Sequence, residues 1–343
     1  MVSLGHIQIE EDRSGKNRQK RSAPFVADQT MALLLCITGW DPQPWLDRLK
    51  RFASERDIRL WPDIGNPAEI EYAAVWKQPP GVLASLPNLK AVLSLGAGVD
   101  HLFADPSLPA VPLGRVVDAD LTTRMSEWVV LHALIHLRQQ RLYDAQQAAR
   151  IWSEIRPCPA AREVRIGIMG MGVLGQDAAR KLQIMGFPVE GWSRSGKAVD
   201  GVTMHGAAEL DRFLSRTDIL VSLMPLTPDT RGILNRSLFE RLARDGVLGA
   251  PILMNAGRGG LQVEADILAC LEDGTLGAAT LDVFETEPLP VASPLWAHPK
   301  VTVTPHNSAV SDEEAVGRFV LRQVERLEKG LPFDAPVDRQ RRY

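Results

Sequence analysis

Cysteine is scarce in this chain of 343 residues: Cys36, Cys158 and Cys270 are scattered and odd in number. That suggests neither a disulfide framework nor a metal cluster, and a reducing cytoplasm fits best. An excess of either charge is lacking too. Lys and Arg number 39 against 42 Asp and Glu, for a net charge of −3, so nothing draws the chain to nucleic acid or to anionic lipid. No apolar run reaches the roughly 18 residues of a membrane span, and no internal repeat appears. Residues 1–30 do not read as folded. Their basic stretch Arg13–Ser22 cannot bury a core, and the apolar centre of a secretory signal is missing. A disordered extension or an overextended start is expected there, with a targeting arm as the alternative.

What is present, from Met31 on, is an alternation of strand and helix. Ala32–Thr38, Ile58–Pro62 and Tyr72–Trp76 read as strands, Pro44–Ser54 and Pro80–Leu86 as helices. Ala91–Leu95 reads as a strand entering the glycine loop Gly96–Gly98. Such alternation implies parallel βαβ units. A long helix is predicted over Met125–Gln147, apolar at Val129, Val130, Ala133, Leu134, Leu137 and Leu142, ahead of a loop with Pro157 and Pro159. It is the candidate crossing between domains and the candidate homodimer surface. Six strands follow, at Arg165–Met169, Pro188–Trp192, Ile219–Ser222, Ile252–Asn255, Gly277–Asp282 and Val301–Val303, the count of a doubly wound sheet. A last helix, Asp312–Lys329, lies past that sheet and is expected to return to the first domain. Single cores rarely grow past roughly 250 to 300 residues, so two domains are expected. The fold class is α/β: two Rossmann-like domains with doubly wound parallel sheets and the active site in the cleft between them. Residues 31–124 with 308–343 would form a flavodoxin-like substrate domain, and 125–307 the dinucleotide domain.

The second domain opens on Val164–Gly175, V-R-I-G-I-M-G-M-G-V-L-G. Gly170, Gly172 and Gly175 stand in G-x-G-x-x-G spacing between a strand and a predicted helix, Asp177–Met185. In this arrangement the first glycine permits the turn, the second admits a pyrophosphate and the third lets helix and strand pack closely. Val173 and Leu174 complete the turn. About 20 positions later an acidic residue would take the ribose 2′-hydroxyl of NAD. None stands there. The strand tip instead carries Ser193, Arg194, Ser195 and Lys197, and a guanidinium fork with an ammonium suits a 2′-phosphate, so NADP(H) is the expected cofactor.

Three later segments begin or end at strand tips: Asn255–Gly260, with Arg258 between glycines; Leu281–Leu289, with Asp282 and Glu287; and Val303–Ser308, with His306. Singly each is ambiguous. Together they resemble the D-isomer-specific 2-hydroxyacid dehydrogenase family over Met31 to Tyr343. The resemblance is nearest to its glyoxylate/hydroxypyruvate reductase branch. It is carried by Val75-Trp76, Leu95–Asp100, Trp192-Ser193-Arg194, E-T-E-P-L-P at Glu285–Pro290, Ser293–Trp296, Thr304-Pro305-His306, and Val337-Asp338-Arg339 with Tyr343.

The resemblance implies that His306 is the general acid/base, with Glu287 on its other ring nitrogen and favouring the protonated ring. It implies that Arg258 holds the carboxylate and carbonyl of a small 2-oxo acid, while backbone amides of Ala97 and Gly98 receive the carboxylate. Asp282 would meet the nicotinamide carboxamide, and Met224, Pro225, Thr230, Ala256 and Gly257 would complete the cofactor site. Asn307-Ser308 departs from the small apolar residues usual after this His and predicts a more polar pocket; Asp118–Arg124 departs as well. Trp40 follows a strand tip, where pocket lining and core packing are both open. His101, near the cleft, reads as structural, and so do His132 and His136, which lack a third ligand. The expected activity is NADPH-dependent reduction of glyoxylate or hydroxypyruvate to glycolate or D-glycerate. The alternatives are a bulkier 2-oxo acid or a non-enzymatic NAD(P)-sensing module.

Overall fold

A computed structural model describes residues 31–156, 158–310 and 312–343; the expectations for residues 1–30 and for Pro157 lie outside them. The first sheet holds β1 (Ala32–Ile37), β2 (Ile58–Leu60), β3 (Ile70–Trp76), β4 (Ala91–Ser94) and β5 (Leu113–Arg115) in the order β2-β1-β3-β4-β5. The second holds β6 (Ile166–Met169), β7 (Val189–Trp192), β8 (Thr203–His205), β9 (Ile219–Ser222), β10 (Ile252–Asn255), β11 (Ala278–Leu281) and β12 (Val301–Val303) in the order β12-β11-β10-β9-β6-β7-β8. All these pairings are parallel. β1, β4, β6, β9 and β10 are buried along their whole length, which is why they read as unbroken apolar runs.

Helices α1 (Gln43–Phe52) and α2 (Asp100–Phe103) belong to the first half, where the stretch expected as a helix at Pro80–Leu86 is only a 3-10 turn at Leu83–Ser85. Gly81, in a left-handed conformation at φ +85°, stands inside that stretch and prevents an α-helix from starting earlier. The single long helix expected at Met125–Gln147 is two. α3 (Ala119–Leu137) starts earlier, because the Asp118 carboxylate accepts the Asp120 N–H at 2.8 Å as an N-cap. It ends before Gln139, which takes φ +51°, and α4 (Gln140–Ala149) follows. No glycine or proline marks that break. The second half adds α5 (Val173–Ile184), α6 (Leu210–Leu214), α7 (Arg236–Phe239) and α8 (Glu264–Glu272).

α9 (Glu313–Glu328), capped by the Asp312 carboxylate on Ala315 N–H, returns to the first half as expected. Val316, Phe319, Val320 and Val324 pack there with Leu49, Leu33 and Tyr72. α3 packs on α5, and Ser126 Oγ donates to Asp177 Oδ2 at 2.6 Å. β5 and β8, three-residue edge strands, escaped the sequence reading, so the second sheet has seven strands rather than six. Among the described residues no helix is long and apolar enough to cross a membrane.

Candidate active site

In sheets of this order, ligands bind beyond the carboxyl ends of the strands, where the order reverses. That reversal falls between β6 and β9 in the second sheet and between β1 and β3 in the first. The strand tips face one cavity of about 1110 Å³. It exceeds the usual range for one drug-sized ligand, so there is room for a dinucleotide together with a small acid.

The three glycines of the β6–α5 turn differ physically. Gly170 has φ +105°, and a side chain there would strike the Leu223–Met224 backbone. A methyl on Gly175 would lie 2.2 Å from the Gly170 carbonyl oxygen, so α5 can approach the turn only without it. Gly172 is open: nothing lies within 4 Å of a built Cβ, and this face lines the cavity. An open glycine at the start of a 12-residue helix, with free N–H groups in the first turn and no acidic residue there, is a cradle for a pyrophosphate.

At the tip of β7, Ser193, Arg194, Ser195 and Lys197 line the same cavity. Arg194 Nη1 donates to Asp229 Oδ2 at 2.9 Å and its Nη2 to the Tyr343 hydroxyl at 3.4 Å. Beyond β9, Met224, Pro225 and Thr230 line the wall, with Thr230 Oγ1 accepting Thr227 N–H and donating to the Pro225 carbonyl, both at 2.8 Å.

Arg258 leaves the tip of β10 on a turn held by buried Asn255, whose side chain accepts Gly257 N–H and donates to Gln262 and to the Arg258 carbonyl. Its guanidinium crosses the cleft: Nε donates to Asp100 Oδ1 at 2.8 Å, and it lies so close on Gly98 that a Cβ there would be 1.6 Å from Nη2. Burial alone would raise the Asp100 carboxyl, but the charge and hydrogen bond of Arg258 outweigh it and hold it below its ordinary value. Ala97 and Gly98 are shaped from beneath by Ser94, which accepts Gly96 N–H and donates to the Gly98 carbonyl. Ser94 Oγ also meets His101 Nε2 at 3.0 Å, while His101 Nδ1 meets Gln78 Oε1 at 3.1 Å. Burial pushes His101 down to about 4, so it is a neutral strut, as expected.

His306 follows β12 at φ +51°, and its Nδ1 lies 2.8 Å from Glu287 Oε2, which leaves Nε2 for the cavity that His306 lines. Glu287 also accepts Phe284 N–H at 3.2 Å. Burial would raise its carboxyl, yet the hydrogen bond and charge of His306 prevail and hold it below the usual carboxylate range.

Asp282, expected at the nicotinamide carboxamide, is fully buried beneath the turn that carries His306. Its carboxylate accepts Thr304 Oγ1 at 2.6 Å and the Asn307 and Ser308 amides at 3.0 and 3.1 Å, so it builds the turn that presents His306. Asn307, expected to make the pocket more polar, is exposed and outside the lining, whereas Ser308 is part of it.

Trp40 lines the cavity and stacks on Trp76 with ring centroids 4.9 Å apart. His132 and His136 are packing residues, one tilted against Trp128 and the other 2.8 Å from Thr280 Oγ1. The structure therefore brings Arg258, His306, Gly98, the Gly170–Gly175 turn and the Ser193–Lys197 turn to one cavity, with Glu287 and Asp282 behind His306. Sequence reasoning gave no site role to Asp100, Arg115, Asp229 and Arg341–Tyr343, which also line it. The basic run Arg339, Arg341 and Arg342 beside Tyr343 was the available signal for the last group.

Residues 130–308 match the family model described as D-isomer specific 2-hydroxyacid dehydrogenase, NAD binding domain. The chain belongs to the D-isomer specific 2-hydroxyacid dehydrogenase family. It is similar to glyoxylate/hydroxypyruvate reductase A of Yersinia enterocolitica, at 39% identity over 89% of this chain and 97% of that protein. Among solved dehydrogenases it resembles the NADPH-dependent glyoxylate/hydroxypyruvate reductase of Sinorhizobium meliloti, in complex with NADP and sulfate. The identity is 50% and the TM-score 0.85, over 91% of this chain and 99% of that one. A probable 2-hydroxyacid dehydrogenase from Rhizobium etli, in complex with NADP, HEPES and L(+)-tartaric acid, superposes with TM-score 0.86 at 46% identity over 91% and 99%. As a dehydrogenase of this family the chain is an oxidoreductase, with the parallel α/β architecture expected of it.

Proposed function

We propose that this chain reduces glyoxylate and hydroxypyruvate to glycolate and D-glycerate with NADPH, His306 supplying the proton. The observation that carries this reading is the shared cavity: His306 and Arg258 line it together with the open Gly172 turn and the basic Ser193–Lys197 turn. The domain division 31–124 with 308–343 against 125–307 belongs to the same reading. Gly170–Gly175 would hold the pyrophosphate and Arg194 with Lys197 the 2′-phosphate, while Met224, Pro225, Thr230, Ala256 and Gly257 would wall the remainder.

When bound, the reduced nicotinamide supplies the hydride. Arg258 gives two N–H donors to the substrate carboxylate and carbonyl oxygen, drawing electron density from the carbonyl carbon. The amides of Ala97 and Gly98 receive the carboxylate from the other wall. As the carbonyl oxygen becomes an alkoxide, His306 Nε2 delivers its proton there, and Glu287 keeps the ring aimed through Nδ1. The Asp100–Arg258 ion pair holds the guanidinium across the cleft before a substrate arrives. Stacked Trp40 and Trp76 support a small substrate, because they wall off the end beside Gly96–Gly98. The three unpaired cysteines suit a reducing cytoplasm. A second copy of the chain is placed on the α3–α4 face.

A steady-state panel of 2-oxo acids with NADPH and NADH in parallel tests the reading. Glyoxylate and hydroxypyruvate with NADPH are expected to give the highest kcat/KM, and His306→Gln to lower kcat by on the order of 10² to 10⁴. Faster turnover with NADH, a preference for bulkier acids, or an unchanged His306→Gln enzyme would each overturn it.

A further inference from the structure

The segment 338–343 is built as a turn and fastened to the first half of the molecule. Asp338 Oδ1 accepts the amides of Gln340 and Arg341 at 2.8 and 3.0 Å, and Arg342 N–H donates to the Asp338 carbonyl at 2.7 Å. Val337 N–H donates to the Leu113 carbonyl of β5 at 2.8 Å. The Arg339 guanidinium donates to the Pro109 and Val111 carbonyls, and Arg342 lies over the Phe103 ring at 5.7 Å. From this anchorage the segment reaches the opposite wall: Arg341, Arg342 and Tyr343 line the cavity, and the Tyr343 hydroxyl accepts from Arg194. That acceptance leaves the phenol's own O–H to donate.

At this end the lining carries four cations, Arg194, Lys197, Arg341 and Arg342, and two carboxylates, Asp200 and Asp229, with Asp338 a third beside Arg341. Arg194 and Arg341 already contact carboxylates, Asp229 at 2.9 Å and Asp338 at 3.4 Å, and both side chains remain more than half exposed. Exposed guanidinium donors beside the Tyr343 hydroxyl suit a phosphate monoester, which carries about −1.5 to −2 near neutral pH.

We propose that Arg341 and Tyr343 complete the 2′-phosphate subsite of NADP(H) from the first half of the molecule, so that the phosphate is held from both sides of the cleft. This rests on the reading that the cofactor is the phosphorylated dinucleotide. It assigns the cofactor preference in part to a segment some 150 residues from the basic turn of β7, and makes that phosphate a tie between the two halves.

Calorimetric titration of the full chain with 2′,5′-ADP and 5′-AMP, alongside NADPH and NADH, separates the possibilities without turnover. Arg341→Ala combined with Tyr343→Phe is expected to weaken 2′,5′-ADP and NADPH roughly 10-fold or more, the scale of a lost charged hydrogen bond, and to leave 5′-AMP and NADH within about twofold. Arg194→Ala serves as the reference for the basic turn. If Arg194→Ala weakens 2′,5′-ADP and the double variant does not, the proposal fails while the cofactor reading stands. Parallel weakening of 5′-AMP would mean general damage to the cavity and also overturn it. If the wild-type chain binds 2′,5′-ADP no better than 5′-AMP, the cofactor reading fails, and this inference with it.

Discussion

The Glu287–His306 contact depends on two residues held by different means. His306 sits at positive φ on a turn pinned by buried Asp282, whereas Glu287 is fixed by Phe284 N–H and by the ring itself. The lowered Glu287 carboxyl sets the sign of its pH effect. It remains ionised below the ordinary value of about 4.3, so the ring keeps its partner throughout the neutral range and loses it only in stronger acid. Glu287→Gln should lower kcat by roughly 10²-fold with little change in KM, since the proposed function assigns the substrate to Arg258 and not to Glu287. The wild-type kcat/KM profile should show no carboxylate limb from about pH 8 down to about pH 5. A kinetic pH series of both enzymes decides, and an equal fall in substrate affinity would mean the variant had disturbed the pocket instead. Among these residues Arg258, Glu287 and His306 are ambiguous singly and were legible only together, through the family pattern they share. Asp100 and Tyr343 belong to that pattern, but their contacts were not legible, because an ion pair across a cleft and a hydroxyl on Arg194 join positions with no shared local pattern.

Strands were legible where an apolar or β-branched run marks them. β9, β10 and β12 fall where such runs put them, although β12 is only three residues long and at a sheet edge, while β5 (Leu113-Gly114-Arg115) and β8 (Thr203-Met204-His205) carry no such run. The break at Gln139 left no residue signal, because a non-glycine residue adopts the left-handed turn there. The β6–α5 element is where motif and packing can be separated by experiment. Gly175→Ala drives a methyl against the Gly170 carbonyl and should cost about 1–3 kcal/mol of stability, as overpacking does, along with cofactor affinity. Gly172→Ala meets no protein atom and has an ordinary φ of −78°, so the fold should be untouched while the methyl fills space meant for a ligand. Thermal melts with NADPH titrations check the contrast: a Tm drop confined to Gly175→Ala and weakened NADPH in both. Unchanged NADPH binding by Gly172→Ala would remove the turn from the cofactor site.

At the scale of the whole molecule, α4 is the feature one chain does not account for. None of its ten residues is buried, and a helix this short is marginal in water without a packed face. Its Leu142 is 46% exposed, Leu131 of α3 is 54% exposed, and beyond α4 Ile151 and Trp152 stand out at 56% and 102%. Exposed apolar groups on consecutive elements are what an association surface would use, and stable homodimers bury such faces over upwards of about 2,000 Å². A second copy of this chain is the occupant that the proposed function places there. Sedimentation equilibrium should return twice the 37.8 kDa chain mass. Leu131→Arg with Leu142→Arg, remote from the cavity lining, should shift the chain to a monomer and lower its Tm by several degrees, because dimer and fold are linked by mass action. A wild-type chain that sediments as a monomer at micromolar concentration would leave α4 stabilised by its own chain and remove the dimer from the reading.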